Sequence, residues 1–395
     1  MLFHKQLAFS ENYPKSVVSM VPQFECVMLR PDNESYYSAF LKDVYFFSHG
    51  RYAILQALQL VGLDENSVVL MPAYHCRSMI EPALHLDGHV IFYPMKRDLS
   101  PDVEALRSLV LESKRTIKAI IVVHYFGFPQ RLGEIVAICR EKKITLVEDC
   151  AHAIYDLSPE KKMGSVGDLS IASPRKFFTI EDGGLLLDNR LHKTKLKLRK
   201  SRFNNEIKFL IKFIFQLIKN VLNPKETYLI KNKNFSKCSI ELINELAEQP
   251  ENYDGFKYLL LNKMFREGLK VSKWHMRHAN HSKISSKRRN NYMQWLDELK
   301  NVSFCKPLYT YLPGNVVPYV FPLVLSKLPK TVFHALKKRG VPILRWEDTA
   351  VTECDVSEAY RISLIQLPCH QDITSQHVTF MVNTIVDVMQ EIEQH

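Results

Sequence analysis

Two carboxylates and one lysine carry most of the chemistry available to this sequence. Glu148 and Asp149 end the apolar run Ile144-Thr145-Leu146-Val147 and are followed by Cys150-Ala151-His152. Lys176 lies further on, in Ser173-Pro174-Arg175-Lys176-Phe177-Phe178, just past a second apolar run, and Glu181-Asp182-Gly183-Gly184 follows it. A lysine among apolar side chains loses basicity, and its neutral amine can attack a carbonyl carbon. Asp149 alone could simply cap a helix. An acid and such a lysine at neighbouring strand ends suit pyridoxal phosphate: the lysine takes the aldehyde, and the carboxylate keeps the pyridine nitrogen protonated.

The elements that must position these residues are legible. Short apolar runs at 67–71, 89–93, 118–124, 144–149, 169–173 and 184–188 read as strands. Helical periods fall between them at 51–61, 77–87, 102–113 and 131–142. Such alternation predicts an α/β fold with a mostly parallel sheet covered on both faces. Ligands in such sheets gather at the carboxyl ends of the strands. Four of the 13 glycines (164, 167, 183 and 184) crowd one short stretch, and none occurs from 185 to 254. Backbone freedom is thus concentrated beside Lys176. From about 240 a second, smaller α+β domain is expected: helix over 239–300, extended runs at 302–306, 317–325 and 341–346, helix at 330–339 and a last helix at 374–393. The expected division is 1–240, a large cofactor-binding domain, and 241–395.

The chain has 395 residues, 46% of them hydrophobic and 24% charged, which excludes a disordered tail or a small disulfide scaffold. Its eight cysteines form no CxxC pair, so reduced thiols in a cytoplasmic protein are expected. The formal net charge is +11, and residues 190–237 hold fourteen Lys or Arg against two acids. The basic excess is therefore local. It calls for an anionic partner, but no nucleic acid is expected.

These motifs in register resemble the DegT/StrS family of pyridoxal-phosphate-dependent sugar aminotransferases, of fold type I. Glu148-Asp149-Cys150-Ala151-His152, Gly164-Ser165-Val166-Gly167-Asp168 and Lys176 with Asp182-Gly183-Gly184 follow the family pattern. Gly50-Arg51-Tyr52-Ala53 stands at its phosphate loop, and Met71-Pro72-Ala73-Tyr74-His75-Cys76 at its aromatic segment. His124-Tyr125-Phe126-Gly127 and Leu367-Pro368-Cys369-His370 match two further signatures. The resemblance implies that Lys176 holds the cofactor and shuttles the proton, Asp149 pairs with the pyridine nitrogen, and His152 lies against the ring. It also implies that Gly50, Arg51, Tyr52 and Ser173 hold the phosphate, and that Tyr74 and Cys76 face the ring. His124 and Arg345, the latter in the pair Arg345-Trp346, are candidates for the substrate side.

Three positions depart from the family. Its serine five residues before the lysine is Ile171 here, and Ser173 faces the same side of an extended chain. Its phosphate-loop threonine is Arg51, and its ring-stacking aromatic is Cys76. The expected function is transamination from glutamate to a keto-sugar, nucleotide-linked, in surface polysaccharide synthesis, by a homodimer. Two rivals are weighed: a dehydratase of the same family, which would replace the lysine with histidine, and a cofactor-binding homologue without turnover. His275, His278 and His281 have metal-like spacing without nearby acids, and no metal is expected. Residues 208–222 read as a helix with one narrow polar stripe at 208, 212, 216, 219 and 220. It is expected either to be buried, in its own protein or a dimer, or to lie on an anionic inner membrane face.

Overall fold

The computed structural model of the chain describes residues 1–5, 13–23, 44–157, 163–190, 196–201, 203–222, 240, 242–244 and 249–393. Apart from a two-residue pairing of Leu2–Phe3 with Glu251–Asn252, the strands begin with β1 (Val44–Phe47), which leads into α1 (Gly50–Leu60). Then come β2 (Ser67–Pro72), α2 (Arg77–His85), β3 (His89–Tyr93), α3 (Val103–Glu112), β4 (Thr116–Val123), α4 (Gly133–Lys142) and β5 (Thr145–Cys150). Two strands follow directly, β6 (Leu169–Ala172) and β7 (Gly184–Asp188). All seven form one sheet in the order β1-β7-β6-β5-β4-β2-β3. The pairs from β3 across to β6 are parallel, and β7 runs antiparallel to both β6 and β1.

The apolar runs become strands because they are covered on both faces. Every residue of β2 and β6 is buried, which is the environment parallel strands require. Helix α1 packs against α2 and against β1, β6 and β7. It buries Tyr52, Ile54, Leu55 and Leu58, and each such side chain is worth about 1.5–3 kcal/mol in removed apolar surface. The start of α1 is therefore fixed firmly over the ends of β6 and β7.

Register levels the carboxyl ends of the central strands. Val123 pairs with Asp149, Asp149 with Ile171, and Cys150 with Ala172. The sheet thus delivers Asp149 and the turn after β6 to the same edge.

Beyond these lie α5 (Phe203–Leu222), α6 (Lys270–His278) and α7 (His281–Leu299). A three-stranded antiparallel sheet, β8 (Cys305–Pro307), β9 (Val320–Leu325) and β10 (Leu364–Pro368), carries the remaining helices: α8 (Pro329–Lys338), α9 (Asp355–Ser363) and α10 (Ser375–Glu393). This smaller α+β unit packs α10 on α7 and α8.

Several expectations change. Strand β1 at 44–47 and helix α9 had not been anticipated, and 341–346 forms no strand beyond a bridge of Leu344 to Gln366. The expected helix at 239–300 is two helices beginning only at Lys270. Residues 251–269 instead run largely without helix along the large-sheet side. Phe47 bridges to Glu267, and the buried carboxylate of Glu81 accepts the amides of Lys257, Tyr258 and Leu259, each at 2.8 Å.

Candidate active site

The edge formed by β4, β5 and β6 opens into a cavity of about 270 Å³. Asp149, His152, Ser173, Lys176, Gly50, Arg51, Tyr74 and Cys76 all line it. Lys176 ends a short 3₁₀ turn, Pro174–Lys176, and its amide is bonded to the Ser173 carbonyl at 3.1 Å. Burial holds the Lys176 amine below the usual lysine range, and Arg175 pushes the same way; Asp149 only partly offsets them. This amine therefore gives up its proton more readily than an ordinary lysine.

Asp149 is 5% exposed and accepts the Ala151 amide at 2.8 Å. Burial raises its pKa, with the Ala151 amide and the charges of Lys176 and His124 pulling back. Such a carboxyl gains most from a cationic ligand group beside it. Its neighbour Glu148 has a different task. Its carboxylate accepts the His124 ring at 2.9 Å and the amides of Gly164, Val166 and Gly167 at 3.0, 2.8 and 2.5 Å. Burial opposes its charge, but these hydrogen bonds win and hold its pKa low. Glu148 thus pins the Gly-x-x-Gly turn, and His124 points away from the cavity. His124, Glu148 and Cys150 are the one metal-type cluster among the described residues, and these bonds already engage the two better ligands.

The start of α1 forms one wall. The Cβ of Gly50, if present, would stand 3.4 Å from Ser173 Cβ, so loop and serine meet. Gly184 explains the second glycine of its motif: a Cβ there would fall 2.2 Å from the His49 carbonyl oxygen. His49 is the residue preceding α1, and its Nδ1 is buried without a hydrogen-bond partner. Burial, then Arg51, Arg175 and Lys263, lower its pKa to about 3. The helix N-terminus and these cations make this wall suited to an anion. Arg51 lines the cavity, while its guanidinium also donates to the Tyr258 carbonyl. Tyr52 is turned off to the side, donating to Leu260 O at 3.1 Å.

The opposite wall is aromatic. Tyr74 stacks on Trp346 with centroids 4.9 Å apart, and His152 stacks on Tyr319 at 4.7 Å. Burial keeps His152 neutral, its pKa far below the usual value. The Tyr74 hydroxyl is buried and has no hydrogen-bond partner among the described residues. Cys76 Sγ stands 3.1 Å from Ser78 Oγ at the start of α2.

Arg345 does not reach the cavity. Its guanidinium is paired with Glu347 at 2.5 Å and lies 3.9 Å over the Phe333 ring. Leu344 and Trp346 line the cavity instead. Successive side chains of an extended segment point to opposite sides, so of the pair Arg345-Trp346 only Trp346 faces the cavity. Arg175, His49 and Tyr319 were also missed. Arg175 was visible beside Lys176, whereas Tyr319 arrives from the distant β9 and had no local signal. His275 and His281 are buried on different helices, and His281 Nδ1 meets the Tyr155 hydroxyl at 2.9 Å.

Asp182, of the Asp-Gly-Gly motif, faces α6. It accepts the Leu269 amide at 2.5 Å and the Ser272 hydroxyl. Burial raises its pKa to about 6. The folded chain therefore holds this proton more tightly than the unfolded chain, and stability falls as pH rises from about 4 through 6. A shift of two units corresponds to roughly 3 kcal/mol. The stability of wild type relative to Asp182→Asn, from urea unfolding, should fall by on the order of 2–3 kcal/mol between pH 4 and pH 7. A difference independent of pH would show that Asp182 is not so perturbed.

The profile of the DegT/DnrJ/EryC1/StrS aminotransferase family matches residues 38–208. Over that stretch the chain is similar to this family. Among curated relatives, the UDP-4-amino-4,6-dideoxy-N-acetyl-beta-L-altrosamine transaminase of Campylobacter jejuni is 30% identical over 152 residues, 38% of this chain and 40% of the relative. The GDP-perosamine synthase of Vibrio cholerae is 27% identical over 145 residues, 36% of this chain and 39% of the relative. The aligned region spans about two fifths of these relatives. The fold similarity is wider. Helicobacter pylori PseC, an aminotransferase involved in pseudoaminic acid biosynthesis, superposes with a TM-score of 0.62 at 15% identity, over 95% of this chain and all of that one. The aminotransferase TlmJ of Streptoalloteichus hindustanus gives 0.61 at 15% identity, over 90% of each. The chain thus has the fold of these aminotransferases.

Proposed function

We propose that the protein is a pyridoxal-phosphate-dependent aminotransferase that moves an amino group, from glutamate, to a nucleotide-linked keto-sugar. The observation that carries this is Lys176 and Asp149 in one cavity at the edge of the sheet, beside the N-terminus of α1. The residues present fit the cofactor. The Tyr74 hydroxyl and His49 Nδ1 are buried and unsatisfied, and Asp149 is a buried acid in want of a cation. When bound, pyridoxal phosphate supplies an aldehyde for the amine and a ring that accepts electrons from the reacting carbon.

In this reading Lys176 holds the cofactor and, once freed by the amino donor, moves the proton with its Nζ. Its depressed basicity suits both tasks. Asp149 holds a proton on the pyridine nitrogen. His152 is a neutral face for the ring. Gly50, Arg51 and Ser173 orient the phosphate at the start of α1, and Tyr74 and Trp346 exclude water. The lysine supports this reading over a sugar dehydratase of the same family. The loaded protein should lose its visible absorption band on adding glutamate and regain it on adding 2-oxoglutarate. A band indifferent to glutamate and to other amino donors would reject amino transfer.

We further propose a homodimer and contact of α5 with an anionic membrane surface. Phe203, Leu210, Ile211, Ile214, Phe215 and Ile218 are all exposed. Much of the surrounding basic stretch, including Lys193, Lys225 and Lys237, lies outside the described residues, as do the side chains of Gln216, Lys219 and Asn220. Its charge opposes a second copy at the same face and favours anionic headgroups, at about 1 kcal/mol per basic residue near the surface. No helix among the described residues is long and apolar enough to cross a membrane. Anionic liposomes should sediment with wild type at low salt and not with Ile211→Glu/Phe215→Glu. No binding by wild type at low salt would remove the membrane from the account.

A further inference from the structure

Two cavities meet at Arg175. The inner one holds Lys176. The outer one, about 320 Å³, is bounded by Ser19, Gln23, Phe178, Phe209 and Lys212, and shares Val21 and Arg175 with the inner. Arg175 therefore stands in the passage between them, one residue from the reacting amine. Four other cations near these cavities are committed. Arg51 donates to the Tyr258 carbonyl, and Lys212 pairs with Glu181 on the outer wall. Arg288 is buried and donates to the Tyr319 carbonyl at 3.0 Å and the Lys176 carbonyl at 3.1 Å. Arg345 is paired with Glu347. Arg175 is exposed and makes no ion pair or hydrogen bond with its side chain among the described residues. With Glu181 paired to Lys212, no acidic side chain among the described residues pairs with Arg175 between the two cavities.

We propose that Arg175 is an anion clamp used in turn by both substrates. It binds a carboxylate of the amino donor in one half-reaction and a phosphate of the acceptor's diphosphate in the other. The proposal rests on the aminotransferase reading and adds the subsite. Two unlike molecules must present their reacting carbon to the same amine. What a dicarboxylate amino acid and a sugar diphosphate share is an anion some distance from that carbon. A guanidinium binds carboxylate and phosphate alike, through paired N–H donors, where an ammonium offers a point charge. The outer cavity then houses whatever lies beyond the sugar-bearing phosphate, while the sugar enters the inner one.

Succinate and uridine 5′-diphosphate serve as unreactive probes of the two half-sites, titrated by calorimetry into cofactor-loaded wild type, Arg175→Gln and Arg175→Lys. Both probes should bind about tenfold to a hundredfold more weakly to Arg175→Gln, the range for losing a charged hydrogen-bond partner. Arg175→Lys should recover part of the affinity for each. Unchanged affinity of Arg175→Gln for either probe overturns a shared clamp. Covalent loading at Lys176, read separately by mass, tests the aminotransferase reading. If loading fails, the same titrations on unloaded protein still decide the role of Arg175.

Discussion

Lys176→Ala is expected to lose covalent cofactor attachment and about four orders of magnitude of turnover, with the fold intact. The estimate combines the loss of a nucleophile with that of the proton-transfer group, which alone contributes up to about 10⁴-fold. Both losses fall on one side chain because the turn after β6 carries the only lysine lining the cavity, among the described residues. The fold should survive because truncation also removes the cost of a buried amine, whose pKa is lowered chiefly by burial. Mass spectrometry of the reduced, loaded protein and single-turnover kinetics check the two halves of the prediction. A variant that retains a covalent adduct and turns over within tenfold of wild type would contradict it.

Asp149→Asn should fold and bind cofactor but turn over on the order of 10²–10³-fold more slowly, the scale of losing one preorganised electrostatic partner. Asparagine keeps the volume and can still accept the Ala151 amide, so β5 should end as it does now. It cannot hold a proton on a pyridine nitrogen. Because burial raises the pKa of Asp149, the substitution should cost little stability without cofactor and more with it. Thermal unfolding of loaded and unloaded protein tests that difference. Turnover within a factor of two of wild type would remove Asp149 from the chemistry.

Much of the large sheet was legible because its strands are short, apolar and separated by amphipathic helices. The runs at 89–93 and 184–188 coincide with β3 and β7. Periodicity could not find β1, an antiparallel edge strand in a region without pattern, or hold back the helix expected before Lys270. That stretch is kept extended by distant partners such as Glu81, which a local window does not see. The cavity residues on β5 and on the turns beside it were legible through their motifs. Glu148 was not understood, since a buried acid facing a turn looks in sequence like one facing a ligand. Tyr319 and Trp346 come from the smaller unit. Chain topology sets their approach to Lys176, as it does for most aromatic walls built between two units.

The most direct test of the account is to load wild-type protein with pyridoxal phosphate, reduce it with borohydride and map the labelled peptide. A single pyridoxyl group is expected, on Lys176, and it should be absent when glutamate is added before reduction. Labelling on another lysine such as Lys263 or Lys212, or labelling of Lys176 that no amino donor removes, would contradict it.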